Sequence, residues 1–294
     1  MKVLTIDGNN LVHRVYWVAN NMKYKSDYFH VYMFLNSVKS YVEMYKPDKT
    51  YCVWDEKPDY RQNKRKELLE EYKGNRDKEY GKEVHNKNET IKELLQYMGI
   101  PSIFPRDYEA DDAIGIINKV EKDIAKTKFY LTKKFFEHII ITVDRDLCQL
   151  IDNRNKIYDP IRKLEINENN FEEVLKYKKK DFIKVKALQG DKSDNIPGLK
   201  GFGKVKIDKF LSGSVTLTEE ETQDYERNLK LVKLTHDDEE NEYVSDQINK
   251  ASFETNWNKF LERCKELSFS NILKKETNWY STFFQDNRLI DLLS

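Results

Sequence analysis

Short apolar, β-branched runs recur along the first half of the chain, and each ends in a carboxylate or a turn. Val3 to Ile6 runs into Asp7, Tyr51 to Trp54 into Asp55, and Ile139 to Val143 into Asp144. Runs of this length without polar alternation predict strands buried on both faces of a parallel sheet. Between them lie helical stretches, at about Tyr28 to Tyr45, Asn88 to Met98 and Asp111 to Lys122. Strands alternating with helices give an α/β fold with a mostly parallel central sheet flanked by helices. Such sheets gather their ligands at the carboxyl ends of the strands. Three strands that end in Asp are what a metal site at that edge would require.

Two segments break the alternation. Residues 57–82 hold nine basic side chains against six acidic ones, with few core-forming positions. They predict a helical, solvent-facing excursion from the sheet. After about Asp181 the pattern turns helical, with a Gly-rich hairpin from Gly190 to Gly203 and an acidic section over 219–246. The expected organisation is a core over residues 1–180, with an excursion at about 57–90, followed by a helical region over 181–294.

Composition narrows the function classes. A chain of 294 residues can bury a sizeable core, and its 35% of charged residues is well above the usual quarter. Lys+Arg and Asp+Glu both number 51, so net charge announces no nucleic-acid partner, and any such claim rests on where the charges lie. Three scattered cysteines and five scattered histidines build neither a disulfide framework nor a structural zinc site. The first apolar run meets a charge too early for a secretory signal, and no stretch nears the roughly 20 apolar residues of a membrane span. A soluble, cytoplasmic protein is expected.

The acids carry the chemistry. Tyr108-Glu109-Ala110-Asp111-Asp112 opens a helix, where single acids are favoured by the macrodipole alone. Three acids in four positions repel one another and call for a counter-charge, which a divalent cation with oxygen ligands supplies. Asp144 and Asp146 follow a buried strand and flank Arg145; one Asp there reads as a helix cap, two less so. Asp191 and Asp194 lie three apart, and alone would read as an Asx-turn. With Asp7 and Asp55 these make nine acids at or near the ends of ordered elements. Their joint arrangement fits a two-metal phosphodiesterase, with carboxylates as the hard ligands that Mg²⁺ or Mn²⁺ select.

At this point the chain resembles the 5′-nuclease family: bacteriophage flap endonucleases and exonucleases, and the 5′-nuclease domain of bacterial repair DNA polymerases. The matching stretches are Ile6 to Asn10, Trp54-Asp55, Tyr72 to Arg76, Glu109 to Asp112, Thr142 to Leu150 and Gly190 to Gly203, in the family's order. The resemblance implies a PIN-like nuclease core with a helical arch, then a helix–three-turn–helix region. It implies a first metal site of Asp7, Asp55, Glu109, Asp111 and Asp112 with Asp144 close by, and a looser second site of Asp146, Asp191 and Asp194. Two Mg²⁺ ions, replaceable by Mn²⁺, and a K⁺ ion at the hairpin are the implied cofactors. Lys73 and Arg76 are expected to stabilise the charge of the scissile phosphate, and Tyr72 to stack on a terminal base.

Gly198, Lys200, Gly201, Gly203, Lys204 and Lys206 would meet duplex phosphates. Residues 176–209 carry eleven lysines against four Asp, a basic patch that answers the neutral net charge. Val143, Tyr108 and Val205 depart from the family's usual residues, and either Arg61 or Arg65 stands for its phosphate-contacting Arg. The implied activity is 5′-3′ exonuclease and flap endonuclease action by a monomer. Its substrate is branched or 5′-ended DNA, with RNA–DNA hybrids as a further class, in replication of bacterial or phage type. The tail from Gln285 to Leu293, with Leu289, Ile290, Leu292 and Leu293 apolar, is either a terminal helix docked on the body or a partner-binding peptide, such as one for a sliding clamp. Two other readings compete, a PIN-type ribonuclease and a catalytically silent branched-DNA binder. A Rossmann enzyme is excluded, since Gly8-Asn9-Asn10 is no phosphate fingerprint.

Overall fold

Six strands form one sheet: β1 (Lys2–Asp7), β2 (Lys49–Val53), β3 (Ser102–Ile103), β4 (Glu137–Ile141), β5 (Asn155–Asp159) and β6 (Leu164–Ile166). Their order is β3-β2-β1-β4-β5-β6, parallel except for the antiparallel β5–β6 pair. The computed structural model describes residues 1–22, 26–55, 64–75, 78–132, 135–234 and 236–284, and of residues 78–80 and 128–132 the backbone alone.

The helices are α1 (Gly8–Asn21), α2 (Phe29–Tyr45), α3 (Arg65–Leu68), α4 (Lys78–His85), α5 (Asn88–Tyr97), α6 (Ala110–Thr132) and α7 (Phe171–Leu175). There follow α8 (Phe182–Gln189), α9 (Lys204–Leu211), α10 (Glu219–Val232), α11 (Asp238–Lys250), α12 (Trp257–Glu266), α13 (Ser270–Lys274) and α14 (Glu276–Phe283). No described helix is long and apolar enough to cross a membrane.

The strand runs alternate between two cores, which is why both parities are apolar. Leu4, Ile6, Cys52, Trp54, Ile139 and Ile141 face the core built with α1, α2, α5 and α12–α14. Val3, Tyr51, Val53 and Ile140 face the core under α6, α7 and α11. Each such side chain, fully buried, contributes about 1.5–3 kcal/mol.

The strands expected at Val3, Tyr51 and Ile139 are present, and α2, α5 and α6 lie where helices were expected. The helix α1, directly after β1, was not foreseen, because Gly8-Asn9-Asn10 are poor helix formers. Asp7 caps it by accepting the Asn10 N–H at 3.0 Å. Gly8 is required there: a Cβ would meet the Trp54 ring at 2.7 Å.

The excursion differs from its expectation. Among its described residues it holds two short helices, α3 and α4, with turns over 70–75. Nor does it face solvent throughout. Asn195 Nδ2 donates to Glu71 O at 2.9 Å, Asn75 Nδ2 to Lys192 O at 3.1 Å, and Lys73 N to Asp194 O at 2.9 Å.

Candidate active site

Strand order reverses at β1. The chain leaves it first towards β2 and β3, then returns on its other side with β4, β5 and β6. The carboxyl ends flanking such a switch point form the crevice where α/β sheets bind ligands. Asp7 closes β1 there. Its carboxylate caps α1 and also accepts the Thr142 hydroxyl at 2.9 Å, from the end of β4. The same hydroxyl accepts the Asp144 N–H at 3.0 Å, so β1 and the loop after β4 are locked together. Asp55, two residues past β2, accepts the Ala110 N–H at 2.7 Å and the Asn9 side-chain amide at 2.5 Å. That contact draws the start of α6 to the sheet edge and brings Asp111, in its first turn, with it.

These acids share their charge at a cost. Burial pushes the Asp7 carboxyl up to about 7, with the charges of Asp144 and Asp55 adding to it and hydrogen bonds from Asn10 and Thr142 opposing. Burial also lifts Asp111 well above the usual carboxylate range, reinforced by Asp144 and Asp7. Asp144 stands at the open side of the group. The protein packed around its carboxylate still raises its pKa; Asp194 and Asp191 act in the same direction, against Lys186 and Lys73.

Mutual repulsion of this kind is relieved by a bound cation. The donors are carboxylate oxygens throughout, which fits Mg²⁺ or Mn²⁺ and not a soft ion. As they stand, no three His, Cys, Asp or Glu side chains among the described residues converge into a closed ligand set. The acids come near enough to perturb one another without enclosing a sphere.

Two expected ligands are engaged elsewhere. Asp112 is 1% exposed, and both its oxygens take the Arg65 guanidinium, at 2.6 and 2.8 Å. Arg65 itself is 4% exposed and also donates to the Leu231 and Lys233 carbonyls, at 2.9 and 3.2 Å. In this conformation Asp112 is half of a buried ion pair and not an open ligand. Glu109 is similarly taken: Oε1 by Lys73 at 2.5 Å, and Oε2 by the Tyr72 hydroxyl at 3.0 Å and Arg65 at 3.3 Å. Burial would raise its pKa, but Lys73 and Arg65 outweigh burial and hold it low.

Tyr72 also departs from its expectation. Its ring is 2% exposed and packs with Ala187, Ile196, Leu231 and Val232, so it offers no face to a base in this conformation. Its hydroxyl donates to Asp194 at 3.2 Å as well as to Glu109. Arg61 and Arg76 lie outside the described residues, as does the tail from 285 to 294.

The second acid group is bridged by Lys186, which pairs with Asp146 and, at 3.1 Å, with Asp191. Burial opposes ionisation of Asp191, but hydrogen bonding from Ser193 and the Lys186 charge hold its pKa low. Asp194 lies 3.8 Å from Lys73. Lys186, Thr142 and Asn9 were not foreseen. Asn9 and Thr142 lie in stretches that match the family and Lys186 in the lysine-rich patch, but only the fold brings their side chains to the acids.

After α8 the chain turns at Gly190 (φ +71°), and an isolated bridge pairs Asp191 with Ile196 before α9 begins. Gly198 serves packing, since a Cβ there would meet Gln189 O at 2.1 Å. Gly201 and Gly203 face open space, and Lys200 and Lys204 are exposed. Lys206 is held by Glu221 at 2.9 Å and lies over the Phe202 ring.

The family model for the 5′-3′ exonuclease N-terminal resolvase-like domain matches residues 2–179. The chain belongs to the 5′-3′ exonuclease family. It is 32% identical to the 5′-3′ exonuclease of Mycoplasmopsis pulmonis over 218 residues, covering 74% of this chain and 68% of that protein. To the 5′-3′ exonuclease of Bacillus subtilis it is 30% identical over 220 residues, 71% of this chain and 69% of that one. DNA polymerase I of Caldicellulosiruptor bescii is 30% identical over 231 residues, 74% of this chain, but the chain spans only 25% of that polymerase. Among solved structures, the flap endonuclease of bacteriophage T5, in complex with DNA and metal ions, superposes with a TM-score of 0.66 at 20% identity. That superposition covers 86% of this chain and all of the phage protein, and shows a shared fold with an α/β core.

Proposed function

We propose that this family member is a divalent-metal-dependent, structure-specific 5′ nuclease. It hydrolyses DNA phosphodiesters near single-strand/duplex junctions and leaves 5′-phosphate and 3′-hydroxyl ends. One observation carries the reading. Asp7, Asp111 and Asp144 gather at the sheet's switch point, and burial and the charge of neighbouring carboxylates hold all three above the usual carboxylate range. Relatives named as 5′-3′ exonucleases and a fold shared with a flap endonuclease support it.

Asp7, Asp111 and Asp144, with Asp55 beside them, would hold the first cation, and Asp146, Asp191 and Asp194 the second. Bound there, the cations would supply Lewis-acid activation of water and neutralise charge at phosphorus. The chain's own part is positional. Asp55 and Thr142 fix the carboxylates on the sheet edge, and Lys73 places an ammonium beside Glu109, within reach of a phosphate lying on the acids. The lysine-rich stretch 176–209, which includes α8 and α9, is read as the grip on duplex phosphates, and its salt dependence as counterion release.

The test is cleavage of a labelled 5′-flap duplex with Mg²⁺, with chelator, and in the variants Asp111→Asn and Asp144→Asn. Metal-dependent cutting near the junction, lost in both variants while binding persists, is the expected result. Tight binding without cutting under Mg²⁺ or Mn²⁺ would replace this reading with a silent branched-DNA binder.

A further inference from the structure

Beside the acids lies a cavity of about 440 Å³, between the loop after β4 and the helices α7 and α8. That volume falls in the range of small-ligand sites, roughly 300–1,000 Å³, and suits a single nucleotide. Its inner wall is apolar: Leu175, Phe182 and Val185 line it, each under 8% exposed. Its polar lining includes Asn10, Arg145 and Gln189, together with Asp144 and the paired Lys186 and Asp191. An apolar wall with amides at its edge matches a nucleobase, which has apolar faces and a polar perimeter. Among the described residues the Gln189 amide has a single long contact, 3.4 Å to the Tyr177 hydroxyl, and it is exposed.

Arg145 is the distinctive residue. Arg65, Lys73 and Lys186, the other cations near the acids, are each paired with a carboxylate. Arg145 is exposed, and its guanidinium makes no hydrogen bond or ion pair with any described residue. It is fixed between Asp144 and Asp146, where its own backbone carbonyl accepts the Cys148 N–H at 3.0 Å. A guanidinium with five free donors at the mouth of a nucleotide-sized cavity is a phosphate receptor.

We propose that this cavity is a subsite for the nucleotide on the duplex side of the cut, its base against the Phe182 and Val185 wall and its 5′-phosphate on Arg145. The assignment rests on the nuclease reading, because Asp144 borders both the acids and the cavity. It adds a ligand class, a nucleoside 5′-monophosphate or a 5′-phosphorylated DNA end, and it makes Arg145 a positioning residue for the product phosphate.

The experiment measures binding of thymidine 5′-monophosphate and of thymidine to the full chain by calorimetry. Mg²⁺ can be present throughout, since a monoester offers no diester to cut. The expected result is that the nucleotide binds at least tenfold more tightly than the nucleoside. Arg145→Ala should remove about tenfold from nucleotide affinity and leave the nucleoside unchanged, as expected for a charge-assisted hydrogen bond. Gln189→Ala should weaken both. Equal binding of nucleotide and nucleoside, or Arg145→Ala without effect, overturns the subsite. Flap cleavage on the same preparations separates the two claims: cutting without the Arg145 effect sinks the subsite alone, and the Arg145 effect without cutting sinks the nuclease reading and leaves a nucleoside-monophosphate site with no place on a cut strand.

Discussion

Arg65 and Asp112 show how much the value of a buried charge depends on its partner. The pair is desolvated on both sides and joined by two hydrogen bonds. Removing one half leaves the other charge buried and uncompensated, at a cost of about 3–5 kcal/mol. Arg65→Met is therefore expected to lower the denaturant midpoint strongly, and Arg65→Met with Asp112→Leu to lower it far less. Equal losses in the two proteins would mean the pair is not formed. Asp7 behaves in the opposite sense, because its folded pKa is raised to about 7 from 3.8 by burial and by neighbouring acids. A raised carboxylate stabilises the fold fully below its unfolded value, and that stability is lost as pH rises through about 7. The loss runs at up to about 1.4 kcal/mol per pH unit. In chelator, Asp7→Asn should thus unfold at a higher temperature than the parent at pH 8 and differ little at pH 4. Asn keeps the helix cap. Parallel melting curves across that range would count against the raised pKa.

At the level of elements, the β1–α1 junction depends on one close approach. Gly8 lets the first turn of α1 lie on the Trp54 ring, and Gly8→Ala would force a Cβ to 2.7 Å from it. Overpacking of this kind costs about 1–3 kcal/mol and moves backbone. Here the displaced backbone carries Asp7 and Asn9, so Gly8→Ala should lower both thermal stability and Mg²⁺ affinity. A stable protein with unaltered metal affinity would show that the junction has slack. The strands were legible in the sequence because a strand buried on two faces leaves an unbroken apolar run, as Ile139-Ile140-Ile141 does. The helix α1 was not, since what starts it is a cap and a glycine contact with Trp54, 46 residues away. The burial of Arg65 and Tyr72 was hidden for the same reason. Their local sequence is polar and charged, and their burial comes from α8, α10 and residues over 100 positions distant.

Across the whole molecule, the sheet order turns acids scattered over nearly 140 residues into one group. Asp7, Asp111 and Asp144 were legible as candidate ligands because each lies at a helix start or at or just past a strand end. The pairing of Asp112 with Arg65 was not legible, because Asp111 and Asp112 are neighbours in sequence that differ only in the direction they face on the helix. A whole-molecule consequence follows from the acids' shared charge. A cation that binds only the folded chain stabilises it by about 2.7 kcal/mol at a hundredfold excess over its Kd. Because the cation needs ionised carboxylates, and Asp7 holds its proton up to about pH 7, binding competes with protons. Millimolar Mg²⁺ should therefore raise the melting temperature clearly at pH 8 and much less at pH 5.5. Asp7→Asn, the more stable protein in chelator, should gain little from Mg²⁺ at either pH. A shift that is the same at both pH values, or undiminished in Asp7→Asn, would place the bound ion away from the switch point. The acids would then be ones the fold tolerates rather than ones it uses.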